Sequence, residues 1–245
     1  MSTLGSDSLH GGEILRKVVD YFAHLVRRSQ FFEQLKNDSL FVKSKFYNQI
    51  KWLSNESNDI YNPDFGDILR VAFLEEFKRG RLQDLVSLLS GRDFKTKEYT
   101  ESVMIDSYAK LEEGLLKFVN EYNYQNFVSI LKGAGFGCQE LIKSSMTIDF
   151  AYALYLILQN DNSISKDQIK RYVQKWFVLS TLTSRYIGSP ETKMDEDIRN
   201  IQEKSFVKFF DEIEKSNLSS TFWETALPQE LETSSTNSPG FKVFL

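Results

Sequence analysis

Cysteine occurs once in 245 residues, at Cys138, and histidine twice, at His10 and His24. A single thiol excludes a disulfide within the chain and any multi-cysteine zinc site. Two histidines leave little for metal ligation or acid–base work. Glycine (12) and proline (4) are also scarce, at about half the usual usage of the two residues. Few turns argue against sandwiches and barrels and for long helices. Charge of one sign is missing too: 30 Lys and Arg stand against 34 Asp and Glu, a net −4. No strong global field recruits nucleic acid or an anionic membrane. Nor is there a long apolar run. The longest, Ile148–Leu158, is broken by Asp149. As a helix it rises roughly 16 Å, about half of the roughly 30 Å of a bilayer core. Residues 1–12 are polar and lack the basic start and apolar run of a signal peptide. They read as a frayed, disordered terminus. No membrane partner is expected, and the cytoplasm is the expected compartment.

What remains is a helix-forming chain. Aromatics reach 14% and hydrophobic residues 41%, enough for a sizeable core. Apolar residues recur at three- and four-residue steps over 13–37, over about 40–54, and from Pro63 to near Gly80. A short apolar face covers 81–90, with Gly91 as its stop. The clearest helix runs from about Lys97 to Tyr122, followed by a shorter one over 124–132. Residues 138–147 read as either a turn of helix or an extended connection. Ile148–Leu158 is expected to be a buried core helix. Ser165 and Gln168 have the capping-box spacing and open a helix through Leu182. Ser189–Pro190 is another helix start, with helices at about 190–203 and 205–215 beyond and one more turn near 221–228. The fold class predicted is all-α, a single domain of roughly eight to eleven helices over 13–245. The polar stretch 54–62 is the best hinge. Ser238–Pro239–Gly240 starts an apolar element cut after about two turns, so the chain reads as a fragment of a longer protein.

Few constellations offer chemistry. Gly133 and Gly135 fit the first two glycines of a dinucleotide fingerprint, but Cys138 takes the third place and no strand precedes it. A glycine-rich helix stop is the expected reading. Glu75–Glu76, Glu112–Glu113 and Asp195–Glu196–Asp197 lie in polar, periodic helices and read as solvated faces. His24 reads as a structural histidine, Cys138 as a partly buried thiol. The aromatics at Tyr122–Tyr124 and Trp176–Phe177 read as core. No catalytic residue, cofactor site or metal site is assigned. Basic residues cluster in two places, Lys78, Arg79 and Arg81 in one and Lys166, Lys170, Arg171 and Lys175 in the other, where one predicted helix face bears a positive strip. Such a strip neutralises phosphates, or balances neighbouring acids.

Three stretches, LRVAFLEEFKRGRLQDLVSLLSGRDF (69–94), KWFVLSTLTSRYIGSPETKMDEDI (175–198) and NSPGFKVFL (237–245), resemble in this order the helical region of the GmrSD-type restriction endonuclease family. The match is strongest from Trp176 through Arg185, Tyr186, Gly188, Ser189 and Pro190, and covers about 60–245. The resemblance implies a bacterial parent with a ParB/sulfiredoxin-like domain, called DGQQR, before the helical region and an HNH-type nuclease domain after it. The Gln–Arg motif of the one and the histidines of the other are not in this chain, so no catalytic residue carries over. The simplest roles for the matched positions are structural: Gly188 for a turn, Ser189 as a cap, Pro190 as first helical residue, and Arg185 on a helix end or a carboxylate.

The leading expectation is a non-catalytic helical module that orients the other domains of a phage-defence parent and contacts DNA through Lys166–Lys175. Two others stand beside it: a standalone protein–protein interaction domain, and an enzyme with an unrecognised site.

Overall fold

The computed structural model describes residues 52–53, 59–142 and 144–232. The expectations for 1–37, for 40–51, for most of the 54–62 stretch and for 238–245 lie outside the described residues. Within them the chain is all-α, as predicted: nine helices and no strand among the described residues. The helices are α1 (Phe65–Phe77), α2 (Leu82–Leu89), α3 (Glu101–Phe118), α4 (Glu121–Gly133), α5 (Ser145–Gln159), α6 (Lys166–Leu182), α7 (Pro190–Lys204), α8 (Phe206–Asn217) and α9 (Leu227–Glu232). A 3₁₀ turn, Gln139–Leu141, precedes α5, and a π-helical turn, Phe222–Ala226, precedes α9.

Packing divides the chain into two compact units. The first holds the described parts of 1–57 with 63–77 and 81–124, and the second those of 58–62, 78–80 and 125–245. The division crosses α4 after Tyr124.

In the first unit α1 and α2 pack on α3. Gly114, in the middle of α3, makes the close crossing possible. A Cβ placed there would stand 3.0 Å from both Cβ and the carbonyl oxygen of Ala72. Glycine costs about 1 kcal/mol against alanine inside a helix, and the tight approach explains its presence. α3 is shorter than the apolar repeat predicts. It ends at Phe118 because Asn120 caps the next helix: its Oδ1 accepts from the Asn123 amide at 3.1 Å, while Asn123 Nδ2 donates to the Lys117 carbonyl at 3.1 Å. Tyr122 consequently points to solvent at 66% exposure, against the core role expected of it, whereas Tyr124 is buried. The N-terminus moves as well. Thr100 caps α3 by accepting from the Val103 amide, after a hairpin-like turn in which Arg92 bridges Tyr99.

In the second unit α5 is buried almost all round, as its continuous apolar sequence demands. Each fully buried large side chain adds roughly 1.5–3 kcal/mol. Asp149, in its middle, is fully buried and accepts a hydrogen bond from the Tyr61 hydroxyl at 3.0 Å. Tyr61 in turn meets Phe127 and Tyr152 edge-on. α6 packs along α5, and α7 against α8. The GAGFG stretch starts at the last residue of α4, Gly133, with Gly135 at φ +96°. The Phe136 amide returns to the Leu131 carbonyl and the Gly135 amide to Lys132, the Schellman pattern. These amides close a helix C-terminus, so the stretch is a helix stop rather than a phosphate cradle, which needs a helix N-terminus. Phe136 then packs on Phe177 at 4.7 Å.

Among the described residues no helix is long and apolar enough to cross a membrane.

Candidate functional site

The motif stretch Trp176–Pro190 spans the C-terminal half of α6 and the turn into α7. The predicted capping box forms at the helix start: Ser165 Oγ accepts from the Gln168 amide and Gln168 Oε1 accepts from the Ser165 amide. The other end closes on Ser184, where the sequence reading placed no turn. Ser184 takes φ +50°, its amide bonds the Thr181 carbonyl, and the Arg185 amide bonds that of Ser180. This is again a Schellman closure, with serine at the usual glycine place. Gly188, at φ +90°, makes the turn expected of it, and Pro190 opens α7. Ser189 precedes it, but its side chain accepts no capping hydrogen bond.

The turn delivers Arg185 to Asp197 on α7. Nε donates to Oδ2 at 2.7 Å and Nη2 to Oδ1 at 2.6 Å. The Tyr186 hydroxyl donates to Oδ2 at 2.8 Å, and the Lys193 ammonium stands 3.6 Å from Oδ1. The Arg185 and Asp197 side chains are 6% and 0% exposed. The guanidinium lies over the ring of Trp176, 5.2 Å from its centroid. Phe150 stacks on Tyr186 at 4.9 Å. Trp176 also meets Phe206, Phe209 and Phe210 of α8. Burial, and then the charge of Asp197, push the Tyr186 phenol well above its ordinary value. Burial works to lower Arg185, but its hydrogen bonds to Asp197 and the carboxylate charge outweigh burial and raise it. The carboxylate is thus surrounded by donors, and the centre joins α6, α7 and α8.

Asp197 is a correction to the sequence reading, which set the Asp195–Glu196–Asp197 run on a solvated face. The three diverge because successive helical positions point about 100° apart. Glu196 is exposed and pairs with Lys193. Asp195 accepts from the Gly80 amide at 2.9 Å and pairs with Arg199. A Cβ on Gly80 would lie 2.6 Å from the Glu191 carbonyl oxygen, so only glycine lets that backbone reach α7. Glu75–Glu76 needs the same correction. Glu75 is buried, and Lys117 of α3 gathers it at 3.3 Å together with Glu76 and Glu113. Burial acts to lower Lys117, yet the three carboxylates raise it well above its ordinary value.

The structure splits the basic strip. All four cations are exposed on α6. Lys175 is committed: it pairs with Glu214 at 3.1 Å and sits over the Phe210 ring at 5.7 Å. Lys166, Lys170 and Arg171 make no ion pair among the described residues. They lie within the first two turns of α6, and the helix dipole disfavours a cation only at the first of them, Lys166.

Cys138 is half-buried. Among the described residues no group of His, Cys, Asp and Glu is arranged to hold a metal ion. His10 and His24 lie outside the described residues.

No family model, no curated protein and no solved structure matches the chain.

Proposed function

We propose that the chain is a helical module, without catalytic residues of its own, of a larger GmrSD-like protein of the modification-dependent restriction type, and that it contacts DNA through the N-terminal half of α6. The observation carrying the DNA contact is that Lys166, Lys170 and Arg171 are exposed, unpaired among the described residues and gathered within the first two turns of one helix. Cations so placed raise the local positive potential although the chain as a whole is acidic. The resemblance supports the parent, and the positions that carry it have a shared physical task. Trp176, Arg185 and Tyr186 form the buried centre under α6, and Gly188 and Pro190 shape the turn that closes it. They hold the helix whose other end presents the cations.

Titration of a labelled DNA duplex, read by fluorescence anisotropy at salt from about 50 mM to 200 mM, tests the contact. Three phosphate contacts give a slope of log K against log salt of about −2.7. Lys170→Ala with Arg171→Ala should remove most of it. No binding at the low-salt end, or binding indifferent to the double variant, would sink the assignment. Nuclease or nucleotidase activity in the purified chain would contradict the non-catalytic reading.

A further inference from the structure

Lys132 lies 34 residues before Lys166 in the sequence and shares no helix with the strip. The fold nevertheless brings its end of α4 to α6. A Cβ on its neighbour Gly133 would stand 3.9 Å from Lys170 Cε and 2.6 Å from Gln174 Nε2, and Gln174 Nε2 donates to the Ile130 carbonyl of α4 at 3.1 Å. Lys132 is exposed and makes no ion pair among the described residues. Lys132 stands in the last turn of α4, the helix end that favours a cation.

We propose that Lys132 completes a two-helix cationic surface with Lys166, Lys170 and Arg171, and that this surface binds the phosphate backbone of duplex DNA rather than its bases or a single strand. The inference rests on the DNA contact proposed above and names its ligand. Single-strand binding needs aromatic faces on which bases stack. The aromatics of α6 are spent inside: Trp176 and Phe177 are fully buried, and Tyr172 meets Phe206 and Phe210 edge-on. Reading bases with side-chain amides needs free ones. Both amides of α6 are committed, Gln168 to the capping box and Gln174 to Ile130. Cations are left, and Lys166 and Lys170, one turn apart at about 6 Å of rise, suit a row of phosphates.

The test compares a short labelled duplex with its separated single strand, using the full chain and the variants Lys132→Ala and Lys132→Arg. Four phosphate contacts predict a salt slope of about −3.6 on the duplex, falling to about −2.7 in Lys132→Ala and retained in Lys132→Arg. The single strand should bind more weakly. If the duplex binds but Lys132→Ala keeps the full slope, the two-helix surface is wrong while the α6 contact stands. If the single strand binds more tightly, the duplex assignment is overturned. If neither binds at low salt, or only anionic vesicles do, this inference and the α6 contact fall together. Lys132 is exposed, so circular dichroism of Lys132→Ala should match the parent and keep a loss of binding interpretable.

Discussion

The guanidinium of Arg185 faces the carboxylate of Asp197 edge to edge, with Nε and Nη2 each donating to one carboxylate oxygen and both side chains shut off from water. The pair links the turn after α6 to α7 across twelve residues of sequence. A buried charge is tolerable only while its partner is present.

Asp197→Ala should therefore destabilise the fold by about 3–5 kcal/mol, because it strands the arginine charge. Arg185→Lys loses the two-point geometry and should cost less. Replacing both residues with apolar ones should recover much of the loss. Urea denaturation of the three variants measures this. A single Asp197→Ala variant within about 1 kcal/mol of the parent would contradict the ion-pair account.

Gly114→Ala separates two physical effects by sign. Helix propensity alone predicts stabilisation of about 1 kcal/mol. The contact of the new Cβ with Ala72 predicts a loss of about 1–3 kcal/mol. We expect the loss, since the neighbour is backbone as well as side chain. A rise in melting temperature would show that α1 and α3 are not so close.

Ser205 joins α7 directly to α8 at φ +69° and ψ +152°, a region almost reserved for glycine that costs about 1–3 kcal/mol in other residues. Ser205→Gly should raise stability by about 1 kcal/mol, the strain relieved minus the extra freedom of unfolded glycine. Ser205→Ala should give no such gain. Equal melting temperatures for the parent and the glycine variant would remove the strain.

The raised Tyr186 phenol predicts an alkaline limit. Folding holds the neutral form, so its contribution is complete below the ordinary tyrosine range near pH 10 and fades as pH climbs through the higher folded value. Lys117, also raised, acts in the same direction. Stability should be flat on the neutral side and fall above about pH 10. Tyr186→Phe should be less stable at neutral pH and show a shallower alkaline fall. An identical alkaline slope in the variant would show that Tyr186 is not responsible.

Much of the secondary structure was legible because its signals are local. The Ser165–Gln168 box, the Pro190 start, the stops at Gly91 and after Gly133, and the apolar α5 each rest on a few neighbouring residues. The break at Asn120 was missed because an apolar repeat continued through it, and the asparagine acts through a hydrogen bond that periodicity does not register. The Ser184 closure was missed because serine is not the residue that usually takes a left-handed turn. Of the candidate surface, the α6 cations were legible as a helical pattern. The commitment of Lys175 to Glu214 and the approach of the end of α4 to Lys170 and Gln174 were not, since both join residues far apart in sequence.

By itself the sequence determined an all-α chain, the places where most described helices begin and end, and the positions of its basic strip, because hydrogen bonding within a helix and the spacing of apolar residues are short-range. Only the tertiary structure decided which charges are buried and which are free. Asp197 and Glu75 sit in acidic runs no different in composition from solvated ones, and Arg185 and Lys117 give them their place. Burial and charge pairing depend on what the rest of the chain brings alongside, and that is a property of packing, not of neighbours in sequence.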